Sequence, residues 1–222
     1  MTAKPGPRLL GAVLAGGRSS RYGSNKALAD LGGLSLVERA VRTLEPVAAT
    51  VGIIANDSGV YPDEVPVRPD LVPDLGPLGG LHSALTWAGD EGLDGVVVLA
   101  TDMPFVPVAL VAALAGRVEA RAAVVPASTG PRGLEPLCAA YHVACLEAVT
   151  AAIDRGDRAM ISFFPEIRVR VLDLGVVSAF GDPDMIFFNV NRPGDRHRAD
   201  AWLARGGQPE RGTRSTRGSE EE

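Results

Sequence analysis

The sequence predicts an α/β fold: a three-layer sandwich around a mostly parallel, doubly wound sheet. Two observations carry that reading. Short apolar runs bounded by turn residues alternate with longer amphipathic stretches, which is the pattern of βαβ units. A glycine-rich loop and an acidic one also follow directly on two of those runs, where open α/β sheets carry their ligands. With 46% hydrophobic and 22% charged residues, the 222-residue chain is neither a disordered, a collagen-like nor a disulfide-framework sequence.

The first strand is expected over Leu9–Ala15. It follows Met1–Arg8, which carry two cations, and runs into Gly16-Gly17-Arg18 rather than a small-residue cleavage site, so it reads as a strand and not a signal peptide. Val51–Ala55, Val96–Ala100 and Ala122–Val125 read as further buried strands. The first helix is marked by a capping box, Ser35 with Glu38, ahead of Leu36, Val37, Ala40, Val41 and Leu44, and should stop before Pro46. A second helix is expected after Gly76-Pro77-Leu78-Gly79-Gly80, with Leu81, Ala84, Leu85 and Ala88 facing inward, and a third over Val108–Val118. Ala144–Ile153 and Ala159–Phe164 look helical, Val169–Leu174 alternates like a strand, and Ile186–Val190 is a short apolar run. One domain is expected over 9–204, between a flexible 1–8 segment and a disordered tail from 205 to 222 whose four arginines and four glutamates cancel.

The formal charge of −5 argues against a sequence-blind nucleic-acid binder. No apolar run approaches the ~18 residues that span a bilayer, and a cytoplasmic location is expected, with no membrane partner. Cys138 and Cys145 match no zinc or redox spacing and read as buried free thiols, on one helix face or on two elements. His82, His142 and His197 are scattered, and no metal cluster can be argued from them.

The densest chemical signal is Leu14-Ala15-Gly16-Gly17-Arg18-Ser19-Ser20-Arg21-Tyr22-Gly23-Ser24-Asn25-Lys26. Its glycines let backbone N–H groups converge on an anion, while Arg18, Arg21 and Lys26 add positive charge. The order of the two commonest phosphate loops is absent. Asp102, in Thr101-Asp102-Met103-Pro104 after a buried strand, is placed to hold Mg²⁺ against substrate phosphates or simply to cap the next turn. Asn56-Asp57 and Asp70 fall at loop positions on the same edge and share that ambiguity. In Phe187-Phe188-Asn189-Val190-Asn191-Arg192-Pro193 the two amides lie at i and i+2 on one face of an expected strand. Asn191 is there a second metal contact, or one of the amides caps the helix beginning near Asp195.

Together these motifs resemble the molybdenum cofactor guanylyltransferases, within the wider nucleotidyltransferases that share a Rossmann-like sheet. Leu14-Ala15-Gly16-Gly17 with Arg21, Gly23 and Lys26, then Gly76-Pro77-Leu78-Gly79-Gly80, Asp102 with Pro104, and Asn189-Val190-Asn191 occur in the family's order and spacing. The resemblance implies that Leu14, Ala15 and Gly16 lie along the guanine nucleotide, that Lys26 meets its phosphates, that Asn56, Asp70 and Gly76 add nucleotide contacts, and that Asp102 binds Mg²⁺. Gly17 and Arg18 join the nucleotide set through the loop they share. The Leu-Ala-Gly-Gly form goes with the guanylyl branch, whereas the cytidylyl branch tends to Thr-Ala-Ala-Gly. Tyr22, Asn25 and Arg192 depart from the family's methionine, acid and threonine.

The implied reaction is Mg-dependent transfer of GMP from GTP to molybdenum-bound molybdopterin with release of pyrophosphate, Lys26, Arg21 and Asp102 forming the catalytic set. The alternatives are a related enzyme using CTP or another acceptor (a sugar phosphate or phospholactate), or a non-catalytic nucleotide-binding escort. Arg132 and Glu135, in Pro131-Arg132-Gly133-Leu134-Glu135-Pro136, and Arg158 are expected acceptor contacts with Asn189 and Asn191, although ordinary surface turns read alike. Transient contact with cofactor-insertion proteins or apo-molybdoenzymes is a further expectation.

Overall fold

The computed structural model describes residues 6–15, 26–57, 61 and 63–205. Its elements, in chain order, are β1 (Leu9–Leu14), a two-strand ladder of β2 (Asp30–Leu31) and β3 (Leu34–Ser35), α1 (Leu36–Leu44), β4 (Thr50–Ile54), β5 (Val67–Arg68), α2 (Pro77–Asp90), β6 (Gly95–Ala100), α3 (Val108–Ala115), β7 (Ala122–Pro126), β8 (Cys138–His142), α4 (Leu146–Asp154), β9 (Arg168–Leu172), α5 (Leu174–Val177), α6 (Pro183–Ile186) and α7 (Pro193–Ala204). The main sheet has seven strands in the order β5-β4-β1-β6-β8-β7-β9. β5, β4, β1 and β6 are mutually parallel, β8 runs antiparallel to both its neighbours, and β9 is parallel to β7.

The chain starts at β1, winds outward through β4 and β5, then returns to the other side of β1 as β6, so the winding reverses between β1 and β6. Such a reversal opens a crevice at the carboxyl ends of the strands. Both faces of the sheet are covered because its strands are apolar throughout. Leu9, Val13, Ile53, Val97 and Leu99 pack under α1 and α3, and the alternate residues Leu10, Ala12, Ile54, Val96 and Val98 pack under α2 and α4. At β6 the backbones crowd: a Cβ on Gly95 would stand 2.2 Å from the Tyr141 carbonyl oxygen.

The four expected strands appear within a residue or so of their bounds, and the α1 capping box is present, the Glu38 carboxylate taking the Ser35 N–H at 2.8 Å. Four expectations need correction. The second helix begins inside the glycine stretch rather than after it, with Pro77 in its first turn, because proline is favoured where no helical N–H partner exists. The third helix stops at Ala115, where Gly116 follows. Ala159–Phe164 is a series of turns leading to a short 3₁₀ turn, since Pro165 cannot continue a helix. Residues 188–191 belong to no strand, Ile186 closing α6. β8 was not foreseen. Cys138 and Cys145 are buried and free, on β8 and on the turn that opens α4, and burial pushes both thiols up, Cys145 to about 11.

Candidate active site

The site grows out of the sheet register. Leu14 pairs with Ile54 on one side and Ala100 on the other, and Ile54 pairs with Arg68, so the residues after β1, β4, β5 and β6 all emerge on one edge. That places Ala15, Asn56, Asp70 and Asp102 around one crevice. β8, running the opposite way, starts at this edge, where the Leu137 carbonyl accepts the Ala100 N–H at 3.0 Å, and so brings Glu135 alongside.

Three side chains from distant parts of the chain meet there. The Lys26 ammonium donates to Asp102 Oδ2 at 3.2 Å and to Asn191 Oδ1 at 2.8 Å. The pair with Asp102 is largely enclosed, with side-chain exposures of 19% and 25%. Backbone contacts fix the frame: Thr101 N–H donates to the Leu14 carbonyl at 3.3 Å, and Val190 N–H donates to the Asp102 carbonyl at 2.9 Å. Asp102 Oδ1 is buried and has no hydrogen-bond partner among the described residues. A buried carboxylate oxygen left without a donor is costly, and is the kind of group a hard cation satisfies. Among the described residues no three His, Cys, Asp or Glu side chains gather into a metal cage. One carboxylate and one amide oxygen suit Mg²⁺, which keeps several waters and shares substrate phosphates.

The β1–β4–β5 side is organised by a reciprocal pair. Asn56 Nδ2 donates to Asp70 Oδ2 at 3.3 Å, and Asp70 N–H donates back to Asn56 Oδ1 at 2.9 Å. Burial raises the Asp70 carboxyl above its usual range, and the Asn56 amide partly offsets this. Gly76 caps α2 with positive φ, and the helix lies close enough that a Cβ on Gly80 would be 3.3 Å from Leu14 Cδ2. Ser83, on the buried face of α2, escaped the sequence reading. Its hydroxyl accepts from Leu71 N–H at 2.8 Å and donates to the Gly79 carbonyl at 2.9 Å, fastening the loop after Asp70 to the helix. A lone serine amid Leu81, Ala84, Leu85 and Ala88 was the available signal.

Among the remaining expected residues, Gly16, Gly17, Arg18 and Arg21 lie outside the described residues, as do Tyr22 and Asn25. Glu135 accepts from Leu137 N–H at 3.3 Å. Burial raises its carboxyl, opposed by that N–H, reinforced by the charge of Asp102 and opposed by Arg132. Arg158 donates to the Asp74 carbonyl at 3.1 Å, so it braces the loop that enters α2. Asn189 donates to the Phe187 carbonyl at 2.9 Å, whereas Asn191 reaches Lys26. Neither asparagine side chain caps α7: Asp195 reaches back to the N–H groups of Asn191 and Arg192 at 3.0 and 2.9 Å.

A crevice at a switch point that gathers a lysine, an aspartate and an asparagine at the carboxyl edge of the sheet is the arrangement of a Rossmann-like nucleotidyltransferase. The family model of the MobA-like NTP transferase domain matches residues 11–169. A probable molybdenum cofactor guanylyltransferase of Carboxydothermus hydrogenoformans is 32% identical over 83% of this chain and 91% of its own length. A molybdenum cofactor guanylyltransferase of Rhodobacter capsulatus is 36% identical over 87% and 95%. The crystal structure of molybdopterin-guanine dinucleotide biosynthesis protein A from Archaeoglobus fulgidus superposes with a TM-score of 0.73, at 27% identity, over 89% of this chain and all of that one. The chain belongs to the molybdenum cofactor guanylyltransferase family, and is a nucleotidyltransferase. No helix among the described residues is long and apolar enough to cross a membrane.

Proposed function

We propose that this protein transfers GMP from GTP to the terminal phosphate of molybdenum-bound molybdopterin, forming the guanine dinucleotide cofactor and pyrophosphate, within one domain spanning 9–204. The observation that carries the reading is the convergence of Lys26, Asp102 and Asn191, whose contacts join segments 76 and 165 residues apart. Asp102 and Asn191 are the side chains that would hold Mg²⁺, the orphaned Asp102 Oδ1 being the donor most in need of it. When bound, Mg²⁺ supplies charge neutralisation at the phosphates.

The acceptor phosphate is already an anion, so this chain needs no general base, and catalysis rests on position and electrostatics. Lys26 offsets charge building on the departing pyrophosphate, and Arg21 is assigned the same task. Leu14, Ala15, Gly16, Gly17 and Arg18 line the nucleotide, with Asn56, Asp70 and Gly76 on its far side. The Asn56–Asp70 pair makes that side rigid before substrate arrives. Arg132, Glu135 and Asn189 face the acceptor. Arg158 serves the nucleotide side through Asp74.

Pyrophosphate release measured with each of the four nucleoside triphosphates, in the presence of Mg²⁺ and molybdenum-bound molybdopterin, tests the reading. Turnover with GTP alone is expected. Turnover with CTP in its place would move the protein to the cytidylyl branch, and GTP binding without turnover would make it an escort.

A further inference from the structure

We infer that α7 is a positioning element of the active site: through Trp202, packed on Phe105, it sets the mutual spacing of Lys26, Asp102 and Asn191 without touching substrate. The inference rests on the roles proposed for those three residues.

Each of the three leaves the site along a short segment, and all three segments end in one small core apart from the two that sandwich the sheet. Lys26 leads to Ala29, Leu31 and Leu36, Asp102 leads to Phe105, and Asn191 follows Phe188 and Val190; Ala199 and Leu203 of α7 close this core. Its rings are in contact, Phe105 lying 4.4 Å from Trp202 and 6.2 Å from Phe188 between centroids, with the Arg198 guanidinium 4.9 Å above Phe188. The helix grips both sides of the site. Its first turn holds the Asn191 N–H through Asp195, while its last turn carries Trp202 against Phe105, three residues beyond Asp102. Its end also abuts the β2–β3 turn, where a Cβ on Gly32 would lie 3.1 Å from Leu203 Cδ1.

The Trp202 indole N–H is buried with no hydrogen-bond partner among the described residues, so packing alone holds the ring. Neither β2–β3 nor the 188–191 segment belongs to the main sheet. Ala27 and Phe187 tie the lysine and asparagine sides to the core under α1 and α3, and the small core under α7 is where the two sides meet each other and Phe105. Misplacing reacting groups by about 1 Å is enough to cost on the order of 10²-fold in rate.

The chain has only two lysines, Lys4 and Lys26, which makes the spacing directly readable. An amine-acylating reagent, followed by peptide mass spectrometry, reports the reactivity of Lys26 relative to Lys4 with no nucleotide present. Trp202→Ala is expected to raise that ratio about tenfold by opening the Lys26 contacts. It should also lower kcat by roughly 10- to 100-fold with the KM for GTP little changed. Trp202→Phe should restore both. Met160→Ala, a truncation in the opposite core between α2 and α4, should lower the melting temperature and leave the ratio and the KM-against-kcat pattern alone. Should Trp202→Ala fail to fold, Phe105→Leu must show the same paired changes. A folded Trp202→Ala or Phe105→Leu with wild-type Lys26 labelling overturns the inference. Absence of wild-type turnover with Mg·GTP would instead overturn the proposed function, and the labelling comparison would still decide this one.

Discussion

Replacing Asp102 by alanine should separate activity from stability, because the residue is useful to catalysis and poorly satisfied in the fold. Three contributions set the stability change. The ion pair with Lys26, at 3.2 Å and with both side chains still partly exposed, is worth no more than about 1 kcal/mol. Against that, the buried and unpartnered Oδ1 costs about 1–3 kcal/mol in the native state, and its removal relieves the cost. The backbone anchor to Val190 N–H is untouched by the substitution. The sum is a variant between neutral and about 3 kcal/mol more stable, hence a melting temperature unchanged or up to roughly 6–12 °C higher at the ~2–4 °C per kcal/mol expected for this size. Turnover should nevertheless fall by on the order of 10²–10³, the scale of deleting a key electrostatic group. Thermal unfolding without added metal, paired with pyrophosphate release at saturating Mg²⁺, measures both. Near-normal turnover would refute the metal-holding role, and destabilisation beyond about 2 kcal/mol would refute the reading of Asp102 as a strained carboxylate.

Lys26→Ala should weaken GTP binding measured by calorimetry and leave the fold intact, since the ammonium contacts site residues; unchanged affinity would contradict its place on the phosphates. Ser35→Ala removes the N-cap of α1 and should cost about 1 kcal/mol in denaturant unfolding. Glu135→Gln should respond to pH in a set direction. Burial raises the native carboxyl, so ionising it costs stability once pH exceeds the ordinary glutamate value of 4.5 and the cost grows through the raised native value. The glutamine variant should therefore melt higher than wild type in mildly alkaline buffer and show no advantage below about pH 4; a gain that persists in acid would count against burial as the cause.

The strands around the site were legible because β1, β4 and β6 are buried on both faces and so appear as unbroken apolar runs. β8 was not. Cys138-Ala139-Ala140-Tyr141-His142 lacks β-branched residues, and only its insertion between β6 and β7 makes it a strand. The two asparagines are legible by motif, but their setting is not, since Ile186 closes a helical turn and the residues after it belong to no strand. Periodicity cannot see a segment whose place depends on a long-range backbone bond, here Val190 to Asp102. Lys26 with Asp102 is legible as a pair of signals in the segments that follow two strands. The Ser83 hydroxyl and the small core under α7 were not, because each depends on contacts between segments far apart in sequence.

The central claim is guanylyl transfer to a molybdopterin phosphate. Incubation of the protein with Mg·GTP and molybdenum-bound molybdopterin, followed by mass spectrometry, tests it directly. The expected product is heavier than the acceptor by one guanylyl group, appears with one pyrophosphate and is lost in Asp102→Ala. An acceptor recovered unchanged beside bound, unhydrolysed GTP, or a product carrying cytidylate when CTP is supplied and none with GTP, would contradict it.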